Sequence, residues 1–401
     1  MLNTKPIAFQ AREHLVARKV SGLPPSGIRK FFDLLSSMED VISLGIGEPD
    51  FVTPWHIREA GTYSLERGYT MYTSNSGMPE LRQELAKYLE LRYGLVYHPE
   101  HEILITTGSS EGLDLAMRAI INPGDEVIVA DPCYVAYPAN VTLAGGVPVP
   151  VPTNEEHSFV VRAADVEARI TKRTKAIILG YPANPTGAVM SRAEAEPVAE
   201  LAAKHNLVVV SDEIYARLVY GVEHICFSSL RDAKERTILV SGFSKSHAMT
   251  GWRIGYVAAD RCFVEALTKI HQYTMLSAPT MAQTAATEAL RNGEAEVEKM
   301  VQEYNRRRRL MVKRLNDIGL SCLEPKGAFY AFPSIKATGL TSEEFAEKLL
   351  REERVAVVPG TAFGACGEGF VRCCYATSLP NIEEALARMG RFVRKNSPNT
   401  P

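Results

Sequence analysis

Thr237-Ile238-Leu239-Val240-Ser241-Gly242-Phe243-Ser244-Lys245 begins as an apolar run and gives way to small and polar residues, with Met249-Thr250-Gly251-Trp252-Arg253-Ile254-Gly255 close behind. This pattern predicts a buried strand that runs out into a functional loop. Lys245 sits at that strand end among apolar and small neighbours, with few carboxylates nearby in sequence. A lysine held there loses hydration, its pKa falls, and its amine can attack carbonyl groups. Arg253 follows at an offset that can set two cations beside one anionic ligand, and Ser244 adds a hydroxyl. Ordinary surface loops also carry Ser-Lys pairs, so the stretch alone decides little. Its weight comes from the other strand ends.

Four more apolar runs end in a comparable way. Ile103-Leu104-Ile105-Thr106 leads into Thr107-Gly108-Ser109-Ser110-Glu111-Gly112 and a helix through 121, and Val127-Ile128-Val129-Ala130 leads into Asp131-Pro132-Cys133-Tyr134. Ala176-Ile177-Ile178-Leu179 leads into Gly180-Tyr181-Pro182-Ala183-Asn184-Pro185-Thr186-Gly187, and the run 207–210 into Ser211-Asp212-Glu213-Ile214-Tyr215. Strands alternating with helices predict an α/β fold built on a mostly parallel sheet. Ligands of such sheets bind beyond the carboxyl ends of the strands. Here five successive strands end in residues suited to one ligand.

Each end offers a different chemistry. Gly108-Ser109-Ser110 opens a helix, so backbone N–H groups and hydroxyls face any anion at that N-terminus. The Gly108–Gly112 spacing does not match the Gly-x-Gly-x-x-Gly turn of dinucleotide-binding folds. Asp212 follows four apolar residues, and a carboxylate buried there needs a partner; a protonated ring nitrogen would serve. Tyr215 and Asn184 can donate to an anionic ring oxygen, and Tyr134 offers a face for stacking. With Lys245 and Arg253 the set comprises an amine for a carbonyl, cations for a phosphate and an acid for a pyridine nitrogen. It describes a pyridoxal phosphate site.

The rest of the chain frames this centre. Residues 11–38 read as mainly helical, interrupted at Ser21-Gly22-Leu23-Pro24-Pro25, and 42–47 reads as a short strand ending in Gly45-Ile46-Gly47-Glu48-Pro49-Asp50. That turn-rich segment lets backbone approach a ligand closely. Helical patterns at 55–67 and 78–93 flank a polar loop that carries Tyr69 and Tyr72. After residue 289 comes a charged helical stretch, 294–315, in which Arg306 to Arg309 follow Glu294, Glu296, Glu298 and Glu303. A solvated face with internal ion pairs is expected there rather than a nucleic-acid contact. Gly327-Ala328-Phe329-Tyr330-Ala331-Phe332, a helix at 342–352, a strand at 355–358 and the run Gly369-Phe370-Val371-Arg372-Cys373-Cys374-Tyr375 complete a second unit. The expected division is an N-terminal arm with part of the small domain (1–45), a large domain (46–290) and a small C-terminal domain (291–401).

The chain has 401 residues, 46% hydrophobic and 23% charged, with a formal net charge of −2, which is the make-up of an ordinary soluble globular protein. This balance gives no electrostatic footprint for nucleic acid or an anionic membrane, and no apolar run reaches the length of a span. Residues 1–20 mix charges through the sequence and lack a signal-peptide core. The seven cysteines are odd in number and lack paired metal-ligand spacing, so reduced thiols in a cytoplasm and no metal are expected. Cys373 and Cys374 should point to opposite faces of a strand and serve packing.

The chain resembles the class I and II aminotransferases, the fold-type I pyridoxal-phosphate enzymes, and among them the prokaryotic aspartate and aromatic aminotransferases. The likeness runs from Ser26-Gly27-Ile28-Arg29 to Asn381. It is carried by Gly45-Ile46-Gly47-Glu48-Pro49-Asp50-Phe51, Tyr181 to Gly187, Ser211 to Tyr215 and Ser241 to Gly255. The resemblance implies a large domain with a mixed seven-stranded sheet, a small domain from both chain ends, and a homodimer with shared active sites. It implies that Lys245 bonds the cofactor and shuttles a proton at the substrate Cα, while Asp212 keeps the pyridine nitrogen protonated. Asn184 and Tyr215 would hold the ring oxygen, and Tyr134 would stack on the ring. Ser109, Ser110, Ser244 and Arg253 would bind the phosphate, with Tyr72 reaching it from the partner subunit. Arg372 would take the substrate carboxylate bidentately, with Gly47 adding a backbone contact.

One departure stands out: many members place a phosphate-binding serine where this chain has Gly242, so Ser241 or Ser244 must compensate. The activity implied is transamination between an L-amino acid and a 2-oxo acid, 2-oxoglutarate being the expected acceptor. A lyase on the same fold, of the carbon–sulfur β-lyase or aminocyclopropane-carboxylate type, uses the same lysine and aspartate. A pyridoxal-phosphate-sensing regulator would place a DNA-binding domain ahead of Gly45, where only about forty residues stand.

Overall fold

The five apolar runs of the middle region become five strands of one sheet, and their carboxyl ends share an edge. The computed structural model describes residues 15–23 and 38–396. In chain order the strands are β1 (Ile42–Ser43), β2 (Ile103–Thr106), β3 (Glu126–Asp131), β4 (Val147–Pro152), β5 (Thr174–Gly180) and β6 (Val208–Asp212). They continue as β7 (Thr237–Gly242), β8 (Gly255–Ala258), β9 (Tyr330–Ala331), β10 (Val355–Ala356), β11 (Val358–Pro359) and β12 (Val371–Cys374). The large sheet has seven strands in the order β2-β8-β7-β6-β5-β3-β4. Only β8 runs against its neighbours, pairing antiparallel with β2 and with β7.

Alternating residues of the central strands feed two cores. Val127, Val129, Ile178, Val210 and Val240 pack against the helix Gly108–Ile120, while Ile128, Ile177, Leu179 and Val209 pack towards the helix Arg192–Lys204. Burial on both faces explains why these strands read as continuous apolar runs rather than as alternating ones. Each such side chain removed from water is worth roughly 1.5–3 kcal/mol. The strand β4, Val-Pro-Val-Pro-Val-Pro, lies at the sheet edge, where residues without an N–H are tolerated.

The C-terminal part packs around the helices Glu294–Asp317, Ser342–Glu353 and Leu379–Asn396, and Leu44 from the N-terminal side joins the same core. The Ser342–Glu353 helix starts on a capping box formed by Thr341 and Glu344. Sequence and structure differ at 355–358. The expected single strand splits at Val357, because β10 pairs in parallel with β1 while β11 pairs antiparallel with β12. The arginine run differs as well. Arg306 is solvated beside Glu303, but Arg307 is buried and bonds Asp50 as well as Glu303. Arg308 is buried on Glu324 and the Pro325 carbonyl, so these two arginines tie distant segments together.

Of the helical pattern over 11–38, the described residues hold one turn, Arg18–Ser21, and the Ser26-Gly27-Ile28-Arg29 motif lies outside them. Cys373 and Cys374 are both buried, and all seven cysteines are unpaired. Among the described residues no helix is long and apolar enough to cross a membrane.

Candidate active site

At the shared strand edge lies a cavity of about 600 Å³. Of the residues picked out from the sequence, Gly47, Ser109, Ser110, Tyr134, Asn184 and Asp212 line it, as do Tyr215, Ser244, Lys245, Arg253 and Arg372. Tyr72 does not; it is 81% exposed on the loop whose Met71 carbonyl accepts from Thr280 Oγ1 at 2.8 Å.

Lys245 follows the end of β7, and its Nζ donates to the Gly47 carbonyl at 2.7 Å. Burial pulls its ammonium down from 10.5 to about 8; Cys374 and Glu48 oppose the fall, and the cations Arg372 and Arg253 add to it. A fraction of free amine is therefore present near neutral pH. Asp212 ends β6 and is 5% exposed. Its Oδ2 accepts from the Tyr137 hydroxyl at 2.8 Å and its Oδ1 from the Ile214 N–H at 3.2 Å. Burial pushes its carboxyl up to about 6, and these donors only partly offset that. A carboxylate in this state gains from any cation brought to it.

The helix Gly108–Ile120 points its N-terminus at the cavity. Gly108 has φ +76°, and a Cβ there would come 2.5 Å from an Arg253 Nη, so glycine lets the guanidinium close on the turn. Arg253 Nη1 also donates to the Thr250 carbonyl at 2.9 Å. Together with Ser109, Ser110 and Ser244 this makes an anion cradle. Of the two serines able to offset Gly242, Ser244 lines the cavity, while Ser241 donates to the Glu213 carbonyl at 3.1 Å.

Arg372, on β12, reaches in from the C-terminal part and is 3% exposed. Nη1 donates to Asn184 Oδ1 at 2.8 Å and Nη2 to the Gly45 carbonyl at 2.7 Å. The guanidinium lies between the rings of Tyr330, 4.4 Å away, and Phe363, 4.8 Å away. A guanidinium has five N–H donors, and here its buried Nε has no partner among the described residues. Because Arg372 occupies the Asn184 carbonyl oxygen, the Asn184 amide N–H₂ is left to donate. Tyr215 meets Tyr330 hydroxyl to hydroxyl at 2.7 Å.

Two contributors escaped the sequence reading, Tyr137 and Tyr330. Tyr137 lies in the first turn of the helix Ala136–Ala144 that follows Tyr134, and the two rings meet edge to face at 5.5 Å. Tyr330 had no signal beyond the Gly-Ala-Phe-Tyr string.

A family model described as aminotransferase class I and II matches residues 39–389. The chain belongs to this family. Among aminotransferases of known name, the aspartate aminotransferase of Pyrococcus abyssi is 46% identical over 374 residues, 92% of this chain and 96% of its own length. Aromatic-amino-acid aminotransferase 2 of Thermococcus litoralis is 44% identical over the same shares of each chain. The solved aspartate aminotransferase from Thermus thermophilus with maleate aligns at a TM-score of 0.90 and 41% identity, covering 94% of this chain and 99% of that one. The mixed seven-stranded sheet is thus the fold-type I arrangement of these aminotransferases, and the protein is a transaminase.

Proposed function

We propose that the cavity binds pyridoxal 5'-phosphate and that the enzyme passes an amino group from an L-amino acid to a 2-oxo acid, with 2-oxoglutarate as acceptor. The observation that carries this reading is one cavity holding a desolvated lysine, a buried carboxylate and a buried arginine with a free N–H. When bound, the cofactor supplies an aldehyde that takes up amines and a ring that withdraws electrons from the adjoining carbon. Lys245 would hold the group through that aldehyde, with loss of water, and would move a proton at the substrate Cα. Asp212 holds positive charge on the ring nitrogen, and Tyr134 covers the ring face. Asn184 and Tyr215 donate to the ring oxygen, and the Gly108–Ser110 turn, Ser244 and Arg253 take the phosphate. A panel of L-amino acids with 2-oxoglutarate tests the reading, led by aspartate and the aromatic amino acids after the named relatives. Glutamate formation with at least one donor supports it; none with any donor contradicts it.

Arg372 serves both half-reactions, because amino acids and 2-oxo acids present the same carboxylate. Arg372→Lys keeps the charge and loses the planar fork. Binding of donor and acceptor alike should weaken by roughly 1.5–3 kcal/mol, the range for a hydrogen bond to a charged group, with cofactor absorbance little changed. Stopped-flow measurement of both half-reactions checks this; a loss confined to one substrate would rule out the shared role.

We infer further that the working unit is a homodimer and that Tyr72 completes the partner's phosphate site. Support comes from large apolar side chains left exposed, among them Val52 at 71%, Trp55 at 64%, Met71 at 69% and Tyr273 at 86%. Mixing Lys245→Ala chains with Tyr72→Glu chains should restore part of the activity through hybrid dimers, as seen in a coupled assay. A monomeric mass together with no complementation would count against the shared site. The division near residues 45 and 290 is part of the same proposal, supported by the β1–β10 pairing across the chain ends.

A further inference from the structure

The Tyr215–Tyr330 pair poses a question of proton direction. Each phenol has one hydrogen, and the two oxygens are 2.7 Å apart, so one hydroxyl donates and the other accepts. If Tyr215 donates to Tyr330, its hydrogen is spent and cannot serve a ligand in the cavity. If Tyr330 donates, the Tyr215 hydrogen is free to point inward. Two features favour the second arrangement. The Arg372 guanidinium lies 4.4 Å from the Tyr330 ring, and a cation there polarises the phenol and makes it the better donor. The Tyr330 hydroxyl also packs so closely on Gly47 that a Cβ would overlap it, and its hydrogen-bond partner among the described residues is the Tyr215 hydroxyl. Burial raises both phenols, and for Tyr330 the Arg372 charge is the leading opposing influence.

We propose that Tyr330 is a positioning residue that directs the Tyr215 proton into the cavity and strengthens it as a donor to the ring oxygen of the cofactor. Arg372 then touches both ring-oxygen donors, Asn184 directly and Tyr215 through Tyr330. The carboxylate site and the ring-oxygen site are joined by this short chain of contacts. The proposal rests on the pyridoxal phosphate reading and adds a residue to it.

A stronger Tyr215 donor favours the anionic ring oxygen, so it lowers the pH midpoint at which the bound cofactor's absorbance changes. Tyr330→Phe should raise that midpoint by roughly 0.3–1 pH unit, the scale of one neutral hydrogen bond. In a Tyr215→Phe background the same substitution should add nothing. Replacing Tyr330 by 3-fluorotyrosine, a more acidic phenol of nearly the same shape, should move the midpoint down and keeps the test open if the phenylalanine variant folds poorly. An unmoved midpoint in Tyr330→Phe, or equal shifts in both backgrounds, overturns the relay while leaving the cofactor assignment intact. A wild-type enzyme whose lysine-dependent absorbance never forms overturns both.

Discussion

Lys245→Ala is expected to abolish transamination and the covalent cofactor linkage while the chain still folds. Loss of the proton transfer alone removes roughly 10²–10⁴-fold in rate, and loss of the amine that bonds the aldehyde adds to it. The variant also has a signature without cofactor. The native ammonium is held at about 8 against an ordinary 10.5, so folding disfavours its charged form. That cost is fully present below about pH 8 and fades as the pH rises towards 10.5. It corresponds to roughly 3–3.5 kcal/mol, reduced by the methylene packing and the Gly47 hydrogen bond that alanine gives up. Cofactor-free Lys245→Ala should therefore unfold at or above the wild-type temperature at pH 7, with its advantage shrinking by pH 10. Thermal scans across pH check the sign, and a borohydride-reducible linkage surviving in the variant would sink the assignment.

Asp212 should show the next largest effect. Removing one partner of a buried ion pair costs roughly 3–5 kcal/mol, which corresponds to about 10²–10⁴-fold if it falls on the proton-abstraction step. Asp212→Ala should still bind cofactor and lose rate on this scale, and a cofactor analogue with a fixed positive charge at the ring nitrogen should recover part of it. Without cofactor the carboxyl stands at about 6 rather than 3.8, so its stability cost is absent below about pH 4 and complete above about pH 6. Cofactor-free Asp212→Asn should accordingly be more stable than wild type at pH 7 by roughly 2–3 kcal/mol, and equal to it near pH 4. Denaturant titrations at the two pH values measure this; a pH-independent difference would show that the carboxylate carries no such strain.

The legible parts of this enzyme are those where one physical demand acts alone. Strands buried on both faces must be apolar, so β3, β5, β6 and β7 stand out, and their ends mark the cavity. The strand β4 hides because its prolines speak against a strand, and only its edge position makes them acceptable. The four residues of β8 follow the Arg253 loop too closely to show a period of their own. Nothing local at Val357 says that pairing changes partner there, since that depends on β1 and β12, which lie far away in sequence. Arg307 and Arg308 read as solvated because Asp50 and Glu324, which neutralise them, come from other segments. Tyr137 and Tyr330 bond Asp212 and Tyr215, contacts that exist only once the fold brings these residues together.

The central claim is that this cavity holds pyridoxal phosphate and parks an amino group on it between two substrates. The most direct test is to add L-aspartate, or whichever donor the panel selects, to the cofactor-loaded enzyme with no 2-oxo acid present, and to follow the cofactor's absorbance. A transaminase converts its cofactor to the amine form, keeps it there, and returns it when 2-oxoglutarate is added. Steady release of ammonia with the original absorbance maintained would instead identify a lyase and contradict the account.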